Sequence, residues 1–195
     1  MRLILFTFCL ILISCKEKVK LKQHFPDEHI KQKLTDENAI KLYTSGIEFG
    51  LNGELDKAKI ACEKALKFEN SPIILNQLGG IESTLKNYGK SIEFYKKGRE
   101  LDTLFFPIYI SEARSYGILK QFKKAENLLL KLKELSESEY WNSYAELYLA
   151  VIYYNSQESC EKVIKHLEKA ETLKDDIDLR QQYLDFEKRV KNNCG

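Results

Sequence analysis

Residues 72–102 read PIILNQLGGIESTLKNYGKSIEFYKKGRELD. Three small residues in this stretch, Gly79, Ser91 and Gly98, have counterparts on both sides. Gly46, Gly79 and Ala113 stand 33 and 34 residues apart. Ala58, Ser91 and Ala125 repeat the spacing, as do Ala65, Gly98 and Leu132. Between them run lysine, glutamate, leucine and tyrosine, a composition that leans helical. A period near 34 with small residues at fixed positions marks an array of helix–turn–helix units. The expected fold is therefore all-α, with a small residue wherever two helices approach closely and large residues filling the space between.

Three copies can be laid out from that period. Copy one, 39–71, offers Leu42, Gly46, Phe49, Ala58, Cys62 and Ala65. Copy two, 72–105, offers Leu75, Leu78, Gly79, Tyr88, Ser91, Tyr95 and Gly98, with Glu82 where an aromatic is expected. Copy three, 106–139, offers Tyr109, Ala113, Tyr116, Phe122, Ala125 and Leu129, with Leu132 where a small residue is expected. This pattern resembles the tetratricopeptide repeat (TPR), whose copies carry small residues at the positions Gly79, Ser91 and Gly98 occupy. The resemblance implies an α-solenoid of about four repeats plus a C-terminal capping helix. The fourth copy, 140–173, is degenerate: Val163, Leu167 and Ala170 lie 38 residues after their counterparts, and either Ala150 or Val151 fits the small position of its first helix. Ala150, with one extra residue in the turn around Ser156 to Ser159, is the preferred register. Residues 176–192 form one more amphipathic helix, with Ile177, Tyr183, Leu184, Phe186 and Val190 on its apolar side. Thr35, followed by Asp36 and Glu37, reads as the capping hydroxyl of the first helix, with Leu34 as a staple. The array domain is thus expected over 35–195.

The N-terminus is a separate matter. Residues 1–15, MRLILFTFCLILISC, carry one arginine and then an apolar run from Leu3 to Ile13. As a helix that run rises only about 16 Å, too short for a span and right for the apolar core of a signal peptide. Leu12-Ile13-Ser14-Cys15 resembles the lipobox of bacterial lipoproteins. The resemblance implies cleavage after residue 14, a lipid on Cys15 and a home in the cell envelope. Lys16 in place of aspartate leans toward the outer membrane, with periplasmic and surface faces both open. Residues 16–34 hold six lysines against three acids and no apolar period, and read as a tether reaching roughly 25 Å.

The remaining cysteines divide the same way. Cys62 sits at a core position of copy one and reads as a small buried hydrophobe. Cys160 opens the second helix of copy four, and Cys194 follows the capping helix. If those helices are antiparallel neighbours, their ends meet, and an exported chain would join them as a disulfide. Two free thiols near a frayed terminus is the other reading.

No catalytic constellation is evident. There is no CxxC pair and no GxSxG or glycine-rich phosphate loop. His24 and His29 fall in the tether, and His166 falls on a helix face expected to be wet. The net charge of +2 gives no basic excess of the nucleic-acid type. No cofactor, metal or enzymatic activity is expected. The TPR resemblance implies that the first helix of each pair lines a concave groove. Its lining is expected to include Tyr43, Ile47, Asn76, Ile110, Arg114, Leu147 and Tyr154, unless some of these pack inside the array. It lacks the Lys/Asn/Lys/Arg set of members that clamp a terminal carboxylate. Such a groove suits a helix or extended segment of a partner protein. The function expected is that of an envelope adaptor, anchored to the membrane and binding protein. A small-ligand or glycan binder, or an accessory subunit of an enzyme or transporter, is the alternative.

Overall fold

The computed structural model describes residues 34–194. The segment expected as a signal peptide, the expected lipidation at Cys15 and all of the expected tether but Leu34 lie outside the described residues. Within them the chain forms α1 (Glu37–Leu51), α2 (Leu55–Phe68), α3 (Pro72–Thr84), α4 (Tyr88–Leu101), α5 (Pro107–Ile118), α6 (Phe122–Leu135), α7 (Glu139–Asn155), α8 (Cys160–Lys169) and α9 (Arg180–Cys194). A short 3-10 turn, Glu171–Lys174, precedes α9. There is no strand among the described residues, and no helix long and apolar enough to cross a membrane. The helices pair in order, α1 with α2 through α7 with α8, and each first helix also touches the first helix of the next pair. The result is an open solenoid with α1, α3, α5 and α7 side by side on one face.

Each pair turns by the same device. The first helix ends with one residue in the left-handed region: Gly53 (φ 79°), Lys86 (64°), Lys120 (56°) and Gln157 (61°). The N–H of the following residue reaches back to Phe49 O, Glu82 O, Tyr116 O and Tyr153 O respectively. The left-handed residue itself donates to Gly50 O, Ser83 O, Gly117 O and Tyr154 O. This is the Schellman motif, which satisfies carbonyls that a helix end leaves open. Glycine is its natural occupant, and only the first turn has one. Pro72 and Pro107 open α3 and α5, where a missing N–H costs nothing.

Close packing explains the small residues. A Cβ on Gly46 would lie 2.5 Å from Cys62 Sγ, and one on Gly79 would lie 2.3 Å from the Tyr95 ring. A Cβ on Gly98 would meet Ile108 Cδ1 at 2.3 Å, so this glycine lets the second pair seat the third. One repeat further on the corresponding positions are Leu132 and Asn142. The apolar bulk has moved from the second helix of the junction, Ile108 on α5, to the first, Leu132 on α6, where it is fully buried.

Buried charge crosses every junction. Arg99 on α4 pairs with Glu112 on α5 at 3.0 Å, and Lys133 on α6 pairs with Glu146 on α7. Both pairs span 13 residues and occupy equivalent positions. At the first junction those two positions hold Leu66 and Leu78 instead. Glu82, in the aromatic's place, pairs with Lys59 on α2 at 2.6 Å and accepts from Asn87. The three carboxylates are almost wholly enclosed, with 1%, 1% and 4% exposure for Glu82, Glu112 and Glu146.

The fourth pair is stretched. Glu146 follows Glu112 by 34 residues, but the left-handed Gln157 follows Lys120 by 37. The extra three residues are nearly one helical turn, so α7 is longer yet presents the same face. One further residue in the turn completes the 38-residue offset of α8. Ala150 is fully buried.

Several local expectations are corrected. The N-cap of α1 is Asp36, which accepts from the N–H groups of Asn38 and Ala39. Thr35 is instead held by Glu69, whose Oε2 accepts from the N–H of Thr35 and Asp36. His166 is not on a wet face: it bonds Glu146 and packs against the Tyr153 ring, 4.9 Å between centroids. The capping helix starts at Arg180, after a turn in which Asp176 accepts from Asp178 and Leu179 N–H. Leu179 takes the buried place, leaving Ile177 86% exposed and Leu184 on the wet side. Tyr183, Phe186 and Val190 do face the core.

Candidate functional site

The first helices of pairs one to three, with Leu55 of α2 and Tyr95 of α4, line a cleft of roughly 380 Å³. Its apolar wall is Ile47, Leu51, Leu55 and Ile81. Its polar wall is Asn76, Gln77, Ser83, Thr84, Ser111 and Arg114, with Gly50 and Gly80 keeping the floor open and Tyr95 behind. A Cβ on Gly80 would touch nothing within 4 Å. Asn76 Oδ1 is buried in the wall and accepts no hydrogen bond from the described residues. Buried polar atoms are almost always satisfied, so this acceptor is an unusual feature of the lining.

Arg114 stands where the cleft meets the fourth pair. Its guanidinium lies over the Tyr148 ring, 6.0 Å from the centroid, and pairs with no acid among the described residues. From Tyr148 an aromatic strip continues toward the start of α7. Tyr148 meets Tyr144 at 5.3 Å between centroids, Trp141 stacks on Tyr144 at 6.0 Å, and Phe106, just before α5, meets Trp141 at 6.2 Å. Tyr140 closes the strip at 5.0 Å from Trp141. Cleft and strip form one diagonal path, from the end of α1 to the beginning of α7.

Of the residues expected in the groove, Ile47, Asn76 and Arg114 come together in the cleft. Tyr43, Ile110 and Leu147 do not; they are core residues, with exposures of 3%, 3% and 0%. The helix surface that faces the next pair is wider than the position count assumed, and large apolar side chains there turn inward. Burial pushes the Tyr43 hydroxyl well above its usual range. Tyr154 is covered by α9, where Phe186 packs edge-on at 5.6 Å and Asn193 donates to its hydroxyl. Gln182 donates to Tyr148 in the same way. These contacts advance together along both helices, so α9 runs parallel to α7, as the first helix of a fifth pair would. Gln77 and Ser111, absent from the sequence expectation, are equivalent residues 34 apart. Their signal was the second small-to-medium polar residue next to the expected lining position.

Cys160 and Cys194 are joined, with 5.5 Å between Cα atoms, tying the start of α8 to the end of α9. Cys62 is fully buried, and burial pushes its thiol up to about 12, so it is an inert core residue. No group of three or more His, Cys, Asp or Glu side chains gathers at metal-binding distance among the described residues.

No protein-family profile and no curated protein matches the chain. Solved structures do. It is similar to MamA (residue 41 to the end) from Desulfovibrio magneticus RS-1, with a TM-score of 0.60 at 17% identity, over 82% of this chain and 96% of that one. A tetratricopeptide repeat protein from Parabacteroides merdae superposes with a TM-score of 0.59 at 18% identity, over 81% and 62%. The first TPR of Spaghetti, solved bound to an HSP90 peptide, superposes with a TM-score of 0.56 at 15% identity, over 65% and 98%. The fold is that of a TPR-like α-solenoid.

Proposed function

We propose that this chain is a protein-interaction module anchored at a bacterial envelope, holding an extended segment of a partner protein in its concave cleft. The observation that carries the reading is the cleft itself. It is open, mixes apolar and amide walls, and offers an unused buried acceptor at Asn76. An extended segment brings backbone N–H groups for that acceptor and side chains for the Ile47–Leu51–Leu55 wall. Arg114 favours a segment with an acidic group at its centre. The aromatic strip supplies rigid anchors where the segment leaves the cleft. The peptide-bound TPR neighbour lends general support to a protein partner. Arg114 and Tyr95 are the titratable residues of the lining, which offers no acid–base pair for catalysis. Anchoring rests on the lipobox-like LISC ending at Cys15. Two or three acyl chains there would hold the protein stably on a membrane.

The test is affinity capture after cross-linking in the producing cells, comparing wild type with Gly80→Leu. Position 80 has free space, so the leucine fills the cleft without disturbing the helix. A partner captured by wild type and lost with Gly80→Leu is expected. Equal capture by both would remove the cleft from the function. Anchoring is read separately: metabolic labelling with an alkynyl fatty acid should mark wild type and not Cys15→Ser.

A further inference from the structure

The edge of the solenoid formed by the second and third hairpin turns combines exposed apolar tips with lysines. Leu85 and Leu119 cap α3 and α5 at equivalent positions and are 36% and 39% exposed, with Ile118 at 42% beside them. Lys86 and Lys120 follow immediately, and Lys90 lies one turn on. None of these three lysines pairs with a carboxylate among the described residues. Of the acids beside these turns, Glu82 is buried against Lys59, and Glu126 is bound by Lys123 and Tyr153.

Lys86 and Lys120 also occupy the left-handed residue of the Schellman turn. Glycine would be cheaper there, and Gly53 serves in the first turn. Lys86 and Lys120 thus stand one repeat apart, each next to an exposed leucine, at the tip of a turn.

We infer that this edge docks on an anionic lipid surface. The patch lies at the tips of two turns whose backbone N–H groups are used within the turns, so it offers no ladder to an extended peptide. It presents apolar tips ringed by long lysine stems, which insert short side chains below the headgroups while the ammonium groups stay among the phosphates. The outer turns limit its extent: Glu54 and Asp56 flank it on one side, Glu158 and Glu161 on the other. The inference goes beyond the proposed function and stands on the edge residues alone. If Cys15 carries lipid, docking by this edge fixes the orientation in which the concave cleft is offered to a partner.

The test places a fluorescent non-natural amino acid at 119, or at 104 on the opposite edge, where Leu104 is 60% exposed. Protein purified from the producing cells is mixed with phosphatidylcholine vesicles, with or without phosphatidylglycerol, that carry a lipid-borne quencher. Quenching at 119 and not at 104, only with phosphatidylglycerol, is expected. Each lysine near an anionic surface changes binding about fivefold. Lys86→Gln, Lys90→Gln and Lys120→Gln together should therefore lower the docking constant about 100-fold. Glutamine fits the left-handed position, as Gln157 shows. Equal quenching at both edges, no quenching at 119 on vesicles that bind the protein, or an unaffected triple variant would overturn the inference. Co-sedimentation with phosphatidylcholine alone reads the acyl anchor, so failure of the anchor and failure of the edge give different patterns.

Discussion

Adjacent glycines on α3 should respond to the same substitution with opposite signs. At Gly79 an added Cβ would sit 2.3, 2.6 and 2.8 Å from three carbons of the Tyr95 ring. Ordinary carbon contacts are about 3.5–4.0 Å, so the ring must retreat by more than about 1 Å. Tyr95 is 3% exposed and packed among its neighbours, so the retreat is resisted. Overpacking of this kind costs up to about 3 kcal/mol. Alanine gains about 1 kcal/mol over glycine inside a helix. The net for Gly79→Ala is a loss of about 2 kcal/mol. At Gly80 nothing lies within 4 Å, so Gly80→Ala keeps its gain of about 1 kcal/mol. The two variants should differ by about 3 kcal/mol, or roughly 6–12 °C in Tm for a domain of this size. Urea unfolding followed by far-UV circular dichroism, with thermal melts in parallel, measures both. Equal stability of the two variants would refute the close approach of α3 to α4 on which the whole repeat reading stands.

Three further outcomes follow from the junctions and the cap. Arg99→Leu should cost about 3 kcal/mol by stranding buried Glu112, whereas Arg99→Leu with Glu112→Leu, which copies the Leu66–Leu78 junction, should return to within about 1 kcal/mol of wild type in a double-mutant cycle. Burial pushes the Glu146 carboxyl up, but Lys133 and His166 outweigh it and hold it below the usual range, so its stabilisation is present above about pH 4.3 and lost as pH falls through the folded value. Burial prevails at Glu112 despite Arg99 and raises its carboxyl, so its contribution is present below about pH 4.3 and lost as pH rises through the folded value. Unfolding measured from pH 3 to 6 should show a flatter acid limb for Glu146→Gln and a steeper one for Glu112→Gln; the reverse order would show that the pairing is misassigned. Cys194→Ser opens a closed loop with a sequence separation of 34 and should cost about 3–4 kcal/mol. Differential scanning calorimetry should show that loss in the variant, and reductant should produce it in wild type alone.

The array was legible because small residues at Gly46, Gly79 and Gly98 record backbone approaches that no other side chain permits. The period carried the pairing, the order of helices and the extra length of the fourth pair. The turns were not legible. Three of four Schellman residues are lysine or glutamine, and only hydrogen-bond geometry distinguishes them from ordinary surface residues. The buried charges were hidden for a similar reason. Glu112 and Arg99 look like solvated helix residues, and only their equivalence to Leu66 and Leu78 reveals a core position. In the cleft, Ile47, Asn76 and Arg114 were found by position. Tyr43 and Ile110 were misplaced because a tyrosine or isoleucine at the border between groove and core turns inward to shed water, which a position count cannot express. Tyr154 was misplaced because α9 continues the row of first helices and covers it.

The most direct measurement is site-specific photo-cross-linking in living cells. A benzophenone amino acid replaces Thr84, exposed at the cleft mouth, or Ile60, 52% exposed on α2 away from it. If the cleft holds a partner segment, position 84 will yield a discrete protein adduct, position 60 will not, and Gly80→Leu will abolish the adduct. Adducts of equal yield at both positions, or an adduct at 84 that survives Gly80→Leu, would contradict it.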